Sequence, residues 1–343
     1  MNQPGDEAPA RRVLSQFSRE FASADLTNLG GNGGFSGANL WKITAGGGIY
    51  CLRRWPAEHP SAERLAYQHG VLQHASLGGI SFVPVPLRTV QNETHLWSDN
   101  RMWELTPWMP GVADFFPERR QEKLIAAVEA LARLHRAMES FSPPRRDVAP
   151  SARQRLDILQ RCMKDLPQHE AKVASGHCPA QMRELALGIL EGFRAVASEI
   201  QSELNAAATM PVAIQPAIRD VWSDHILFDG DEVTGIVDFS ALRPDSITVD
   251  LARLLGSMAG DDREAWRCGL ESYQTIRPLD GIELKQVPIF DRSTTAMSGM
   301  NWLRWILLEG RRFENMDVVC SRLSTTLARL RCLLAEDVNR TEP

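Results

Sequence analysis

Residues 218–227 read Ile218-Arg219-Asp220-Val221-Trp222-Ser223-Asp224-His225-Ile226-Leu227, and residues 236–240 read Ile236-Val237-Asp238-Phe239-Ser240. The apolar runs at 226–228 and 233–237 have the length and composition of short strands. Between them, Asp229-Gly230-Asp231-Glu232 is rich in residues that tolerate the backbone angles of a tight turn. The stretch therefore predicts a β-hairpin that follows a polar loop.

Such a hairpin brings polar side chains to its open end. We expect His225 and Asp238 to lie opposite each other there, with Cα atoms about 4.5–5.5 Å apart. Asp220, on the loop leading into the hairpin, can reach the same point. The pattern predicts a site for a metal ion and for proton transfer, although a solvated turn and a helix-capping aspartate would also explain these residues.

Composition limits the classes of partner. A chain of 343 residues can bury a sizeable core, and its length suggests about two domains. The net charge of −5 gives no electrostatic reason to bind nucleic acid or an anionic membrane. Without a membrane-length apolar run, a signal-peptide core or a paired cysteine spacing, the sequence predicts a cytoplasmic protein without zinc or disulfides. Its oligomeric state stays open.

The chain changes character after the connector Trp108-Met109-Pro110-Gly111. The first hundred residues predict short strands and one helix, whereas the later residues have mainly helical periodicity. We therefore predict an α+β fold with two parts, residues 1–106 and residues 107–343.

Three features of the first part could bind a nucleotide. The glycine-rich segment that includes Gly31 and Gly33 would let backbone N–H groups approach phosphate, although a flexible turn explains it as well. One of Arg53 and Arg54 should point inward from a strand and could pair with phosphate oxygens. Glu63, on the following helix, could hold that arginine or could simply face water.

Taken in order, these motifs resemble the aminoglycoside phosphotransferase family of the protein-kinase-like superfamily, which includes choline and homoserine kinases. The resemblance covers roughly residues 25 to 260. It implies a bilobal fold with a small antiparallel-sheet N-terminal lobe for nucleotide and a larger, mainly helical C-terminal lobe with the catalytic loop and acceptor site. The other motifs that carry it are Leu131-Ala132-Arg133-Leu134-His135, Ile236-Val237-Asp238-Phe239 and Asp250-Leu251-Ala252.

The resemblance also implies roles for single residues. Asp220 resembles the catalytic aspartate that orients or deprotonates an acceptor hydroxyl, and Asp238 the aspartate that binds magnesium. Arg53 resembles the basic strand residue that holds nucleotide phosphates, with Glu63 as its partner, and Gly31 and Gly33 belong to the phosphate loop.

Two further expectations concern the backbone. Thr106 to Trp108 would form the hinge against adenine. Because Pro107 has no N–H, the Trp108 N–H should be the donor to the purine and the Thr106 carbonyl the acceptor. Asp250 resembles the aspartate that braces the catalytic loop, although helix capping would also explain it.

The chain departs from the family pattern at two positions. Ile218 replaces a histidine with a packing role, and His225 replaces an asparagine that binds magnesium, which prefers oxygen ligands. Three explanations are open: His225 binds phosphate or hydrogen-bonds Asp220 and leaves one metal on Asp238, Asp224 supplies the missing oxygen, or catalysis is lost.

The resemblance implies a kinase that uses ATP or GTP with Mg²⁺. It would transfer the γ-phosphoryl group to a hydroxyl of an unidentified metabolite or aminoglycoside-like acceptor. The alternative is a non-catalytic, kinase-like regulatory protein that binds nucleotide.

Overall fold

The computed structural model describes residues 7–30, 37–313 and 315–341. Within them the helices are α1 (Glu7–Leu14), α2 (Ala62–Leu77), α3 (Gln121–Glu139), α4 (Pro150–Ala174), α5 (Arg183–Ala207), α6 (Thr248–Met258), α7 (Arg263–Ile276), α8 (Gly281–Leu303) and α9 (Met316–Thr341). The strands are β1 (Asp25–Gly30), β2 (Asn39–Ala45), β3 (Gly48–Arg54), β4 (Leu96–Ser98), β5 (Arg101–Pro107), β6 (Arg145–Val148), β7 (Pro211–Ala217), β8 (Ile226–Asp229), β9 (Glu232–Ile236) and β10 (Arg243–Asp245).

The chain forms two compact units. One consists of Met1–Pro143 and Asp220–Arg243, and the other consists of Pro144–Arg219 and Pro244–Pro343. The hairpin of β8 and β9 therefore belongs to the same unit as the N-terminal strands. The expected division into residues 1–106 and 107–343 concerns nucleotide and acceptor binding, and it stays a prediction.

The first unit contains a five-stranded antiparallel sheet in the order β1-β2-β3-β5-β4. Trp41 of β2 and Trp103 of β5 are buried on one face, where their rings stack with centroids 5.4 Å apart. Such a pair contributes about 0.5–1.5 kcal/mol beyond its area burial. Phe17 and Phe21, after α1, complete this core. Because successive side chains of a strand alternate between the two faces of a sheet, this apolar face determines which side chains of β3 point to the opposite face.

The connector after β5 packs against the β8–β9 hairpin. The Val112 N–H donates to the Phe228 carbonyl at 2.9 Å, and the Thr234 hydroxyl donates to the Pro110 carbonyl at 2.8 Å. Gly111 has φ +92°, and a Cβ there would lie 2.2 Å from the Thr234 Oγ1. Only glycine allows both this backbone conformation and this approach. The hairpin is therefore held in a fixed position relative to the end of β5.

The second unit is mainly helical. Its α5 packs against α4, α8 and α9, and a three-stranded sheet has the order β10-β7-β6. Gly192 of α5 allows a close approach of α9, because a Cβ there would lie 2.6 Å from the Leu330 Cδ2. The predicted order of a strand-rich first part and a helical second part is confirmed.

Among the residues that the structure describes, none of the helices combines the length and the apolar character needed to span a membrane.

Candidate active site

The predicted hairpin is present, but its register differs from the prediction. The turn at Gly230-Asp231 pairs Asp229 with Glu232, and a bulge between Leu227 and Phe228 adds one residue to the second strand. As a result, Val237 lies opposite His225 and donates its N–H to the His225 carbonyl at 2.9 Å. The prediction that Asp238 lies directly opposite His225 was wrong by one residue.

The structure nevertheless places the His225 ring between the main chain of Asp220 and the side chain of Asp238. The His225 Nδ1 lies 2.8 Å from the main-chain carbonyl oxygen of Asp220. Its Nε2 lies 3.9 Å from the Asp238 Oδ2, which is too long for a hydrogen bond. One of the three explanations for His225 was a hydrogen bond to Asp220. The structure has such a hydrogen bond, and it is made to the main-chain carbonyl of Asp220. Asp224 is exposed, and its carboxylate accepts from the Ser223 hydroxyl at 3.2 Å.

The backbone at Asp238 is held in an unusual conformation. Asp238 has φ +59°, the left-handed region that a residue other than glycine rarely adopts. Two α2 side chains fix the next turn: Arg64 and Gln68 donate to the Ser240 carbonyl at 2.7 and 2.8 Å. Strained residues of this kind persist where the surrounding structure determines them, and they concentrate at functional sites.

Asp238 is ionised in this environment. Burial alone would raise the pKa of Asp238, but the positive charge of Arg53 and hydrogen bonds from Ser240 lower it below its ordinary value. The pKa of Arg53 changes in the opposite direction. Burial would lower it, but the negative charges of Glu104 and Asp238 raise it above its ordinary value. Arg53 and Asp238 therefore stabilise each other's charged forms, as a cation and an anion.

The carboxylate that pairs with Arg53 is Glu104. These residues are cross-strand neighbours on β3 and β5, with the Arg53 Nε 3.6 Å from the Glu104 Oε1. The other Glu104 oxygen lies 2.6 Å from the His69 Nε2, and the His69 Nδ1 lies 2.8 Å from the Thr94 hydroxyl. Burial would raise the pKa of Glu104, but the His69 hydrogen bond and the Arg53 charge lower it. Helix α2 is therefore linked to Arg53 through His69 and Glu104.

The structure does not bring Glu63 to Arg53. Glu63 lies exposed in the first turn of α2, where hydrogen bonds from its own backbone N–H and from the Ser61 hydroxyl lower its pKa. Sequence reasoning missed Glu104 and His69. The register of β3 against β5 would have indicated Glu104, but that register is a property of the folded sheet.

We expect Glu104→Ala to lower the free energy of unfolding by about 2–4 kcal/mol, because it leaves Arg53 and His69 without their common carboxylate. It should also weaken nucleotide binding, since Arg53 loses its fixed orientation. Urea denaturation and nucleotide titration measure the two effects. Glu63→Ala is the matched control and should change stability by less than about 0.5 kcal/mol. Equal effects of the two variants would contradict the assignment of Glu104.

The segment that leads to Asp220 is held from α6. The Asp250 carboxylate is fully buried and accepts from the Ile218 N–H at 2.7 Å and from the Arg219 N–H at 2.5 Å. Ile218 is fully buried, in agreement with a packing role. Arg219 has φ +70°, and its Nε lies 2.9 Å from the buried Asp245. Asp220 follows directly in the chain and is exposed.

The prediction that the Trp108 N–H and the Thr106 carbonyl bind the purine does not fit the hydrogen bonds of the sheet. The Trp108 N–H donates to the Ile49 carbonyl at 3.0 Å, so it is not available to a purine. Hydrogen-bonded pairs alternate along an antiparallel ladder, which places the Thr106 N–H and carbonyl toward Cys51 of β3. Pro107 belongs to the intervening pair, so its carbonyl faces away from β3. The Trp108 indole is partly exposed, with the Lys42 Nζ 5.2 Å from its ring centroid.

The donor set fits magnesium that arrives with a nucleotide. Within 7–30, 37–313 and 315–335, whose side chains are described, no group of three His, Cys, Asp or Glu could hold a metal ion. Mg²⁺ is usually bound by one or two carboxylates together with substrate phosphates and water, rather than by a protein cage. Asp238 can supply such a carboxylate. The predicted phosphate-loop residues Gly31 and Gly33 lie outside the described residues.

Comparison with known sequences finds one family and a set of related kinases. The profile of the phosphotransferase enzyme family matches residues 29–277. A homoserine kinase of Agrobacterium fabrum is 22% identical over 66% of this chain and 64% of its own length. A homoserine kinase of Rhizobium etli is 27% identical, with the same two coverages. The chain thus spans 64% of the length of these two curated relatives.

Comparison with solved structures confirms the predicted fold class. An aminoglycoside phosphotransferase from Alicyclobacillus acidocaldarius superposes with a TM-score of 0.68 at 14% identity, covering 96% of this chain and 95% of that chain. A microcompartment-associated aminopropanol kinase gives a TM-score of 0.65 at 16% identity, with coverages of 97% and 98%. The fold shared with these proteins combines an N-terminal antiparallel sheet with a mainly helical C-terminal part.

Proposed function

Because this chain belongs to the phosphotransferase enzyme family, we propose that it is a small-molecule kinase. It transfers the γ-phosphoryl group of ATP or GTP to the hydroxyl of a small acceptor. The observation that supports this most directly is that Arg53, which lies 3.6 Å from the Glu104 carboxylate, and Asp238 stabilise each other's opposite charges. A basic group for phosphate beside a carboxylate for magnesium is the arrangement that phosphoryl transfer requires.

Each residue then has a defined part in the reaction. Arg53, oriented by Glu104, binds phosphate oxygens. Asp238 would hold Mg²⁺, and the metal would neutralise negative charge on the phosphates. Asp220 accepts a hydrogen bond from the acceptor hydroxyl, orients it toward the phosphorus and takes its proton. Phosphoryl transfer depends mainly on positioning and charge neutralisation, which rigid supports for these residues favour.

The adenine or guanine ring would bind along the outer edge of β5. The Pro107 carbonyl is the proposed acceptor, and the Met109 N–H, two residues further along an extended chain, is the proposed donor. This moves both backbone contacts by one residue from the prediction, because the Thr106 and Trp108 groups are used by β3. Thr106 and Trp108 remain neighbours of the proposed purine site.

A thermal-shift experiment tests the nucleotide and metal part of the proposal. ATP or GTP with Mg²⁺ should raise the Tm of the wild-type protein by a few degrees, since ligand at 100 times its Kd contributes about 2.7 kcal/mol. Asp238→Asn should keep the shift with nucleotide alone and lose the additional shift with magnesium. Because the pKa of Asp238 is lowered, the magnesium-dependent shift should persist at about pH 5.

Asp229→Asn is the matched control, because Asp229 is an exposed aspartate at the closed end of the same hairpin. It should respond to magnesium as the wild type does. An undiminished magnesium effect in Asp238→Asn would contradict the metal assignment. ADP release in a panel of hydroxyl compounds then identifies the acceptor. Homoserine is the first compound to test because of the curated relatives, followed by amino alcohols and aminoglycosides.

The second candidate is a non-catalytic regulatory protein that binds nucleotide. One feature favours it: at the position that the family resemblance assigns to a metal-binding asparagine, this chain has His225, whose Nδ1 lies 2.8 Å from the Asp220 carbonyl oxygen. Tight nucleotide binding with no ADP release on any acceptor would support this candidate against the kinase.

A further inference from the structure

His225 has a different partner at each ring nitrogen. It ends the single helical turn Ser223–His225 that leads into β8. Its Nδ1 lies 2.8 Å from the Asp220 carbonyl oxygen, and the Trp222 Nε1 donates to its Nε2 at 2.9 Å. The Trp222 and His225 rings meet edge to face, with centroids 5.4 Å apart.

The chemistry of these partners determines where the imidazole carries its proton. A carbonyl oxygen can only accept a hydrogen bond, so the His225 Nδ1 must carry the hydrogen. An indole N–H can only donate, so the His225 Nε2 must present its lone pair. With both contacts in place, His225 is the neutral imidazole that is protonated at Nδ1. The hydrogen bond of one nitrogen sets the state of the other.

This arrangement has two consequences for the site. The Nδ1–H closes the segment from residue 220 to residue 225 into a loop, so the backbone of Asp220 is tied to the start of the hairpin. The Nε2 atom could otherwise bind a metal through its lone pair, but that lone pair accepts the hydrogen bond from the Trp222 indole. It also makes no hydrogen bond with Asp238, whose Oδ2 is 3.9 Å away.

We propose that Trp222 is a positioning residue that acts through His225. Its indole N–H selects the Nδ1-protonated imidazole, which then holds the Asp220 carbonyl and fixes the loop that presents the Asp220 side chain. His225 is accordingly a support of this loop and not a magnesium ligand. The inference rests on the proposed function in one respect, the role of Asp220 toward the acceptor.

The direct test is the ¹⁵N NMR signature of His225 in the protein without nucleotide. Two-bond ¹H–¹⁵N spectra of protein with labelled histidine should show His225 protonated at Nδ1, and His225→Asn assigns its signal among the eight histidines of the chain. Trp222→Phe keeps an aromatic ring and removes the N–H that donates to Nε2, so the Nε2 signal should depart from that of an unprotonated, hydrogen-bonded nitrogen and the wild-type signature should be lost. Trp97→Phe is the control, because Trp97 is 60% exposed on β4, and it should leave the signature unchanged.

The kinetic test separates positioning from nucleotide binding. Trp222→Phe should lower kcat about 10-fold, because a small displacement of a catalytic group has a large effect on rate, while the KM for nucleotide changes less than about 2-fold. His225→Asn retains a donor and an acceptor, so it should lose less activity than His225→Leu, which has neither.

Two results would overturn the inference: wild-type His225 protonated at Nε2, or a Trp222→Phe variant that folds and keeps both the signature and kcat. The NMR measurement needs no acceptor. If the wild type phosphorylates nothing, the proposed function fails, and the spectrum still decides the role of Trp222.

Discussion

Asp220→Asn should reduce nucleotide-dependent phosphorylation about 10³-fold, within the range for loss of a general base. Asparagine has nearly the same shape as aspartate, but it cannot take the proton of the acceptor hydroxyl. Nucleotide affinity should be retained, because the proposed phosphate and metal contacts are made by Arg53 and Asp238. Stability should change by less than about 0.5 kcal/mol, since Asp220 is exposed. Initial rates of ADP release and a nucleotide titration measure these effects.

Asp229→Asn again provides the control, since it removes an exposed carboxylate nine positions further along the same segment. It should keep the wild-type rate. A fully active Asp220→Asn would refute the catalytic role of Asp220 and, with it, the proposed mechanism. Loss of activity together with loss of nucleotide binding would instead indicate a disrupted site.

Asp250→Ala should have the largest effect on stability, about 3–5 kcal/mol, because it removes two charge-assisted hydrogen bonds and leaves buried N–H groups unsatisfied. The groups concerned are the N–H of Ile218 and the N–H of Arg219. Arg219 also has a left-handed backbone, which costs a residue with a Cβ about 1–2 kcal/mol and persists because surrounding contacts offset that cost. We therefore expect kcat to fall as well, since Asp220 is the next residue. Urea denaturation and steady-state kinetics measure the two effects.

Asp262→Ala is the control for Asp250→Ala. Asp262 also accepts from a backbone N–H, that of Ala265, but it does so at the exposed N-terminus of α7. Removal of such a cap costs about 1 kcal/mol. Similar losses for the two variants would show that Asp250 is an ordinary helix residue and not the support of the Asp220 loop.

The sequence by itself determined the features that depend on short segments. The spacing from Asp220 to Asp238, with a turn between two apolar runs, was sufficient to predict the hairpin and the aspartates near its open end. Asp250 was also identified, by its place in the order of motifs. Turn chemistry and strand length act over a few residues, so they are readable without the fold.

The tertiary structure decided which atoms meet. Glu104 is the partner of Arg53 because β3 and β5 pair in one particular register, and Glu63 is exposed because the same sheet places α2 with His69 facing Glu104. The sequence assigned the Trp108 N–H to the purine, but in the structure this N–H donates to the Ile49 carbonyl. At His225, a bulge and the Trp222 indole determine the orientation of the ring. Hydrogen bonds and ion pairs depend on distances of a few tenths of an ångström between residues far apart in the chain, and packing of the whole unit sets those distances.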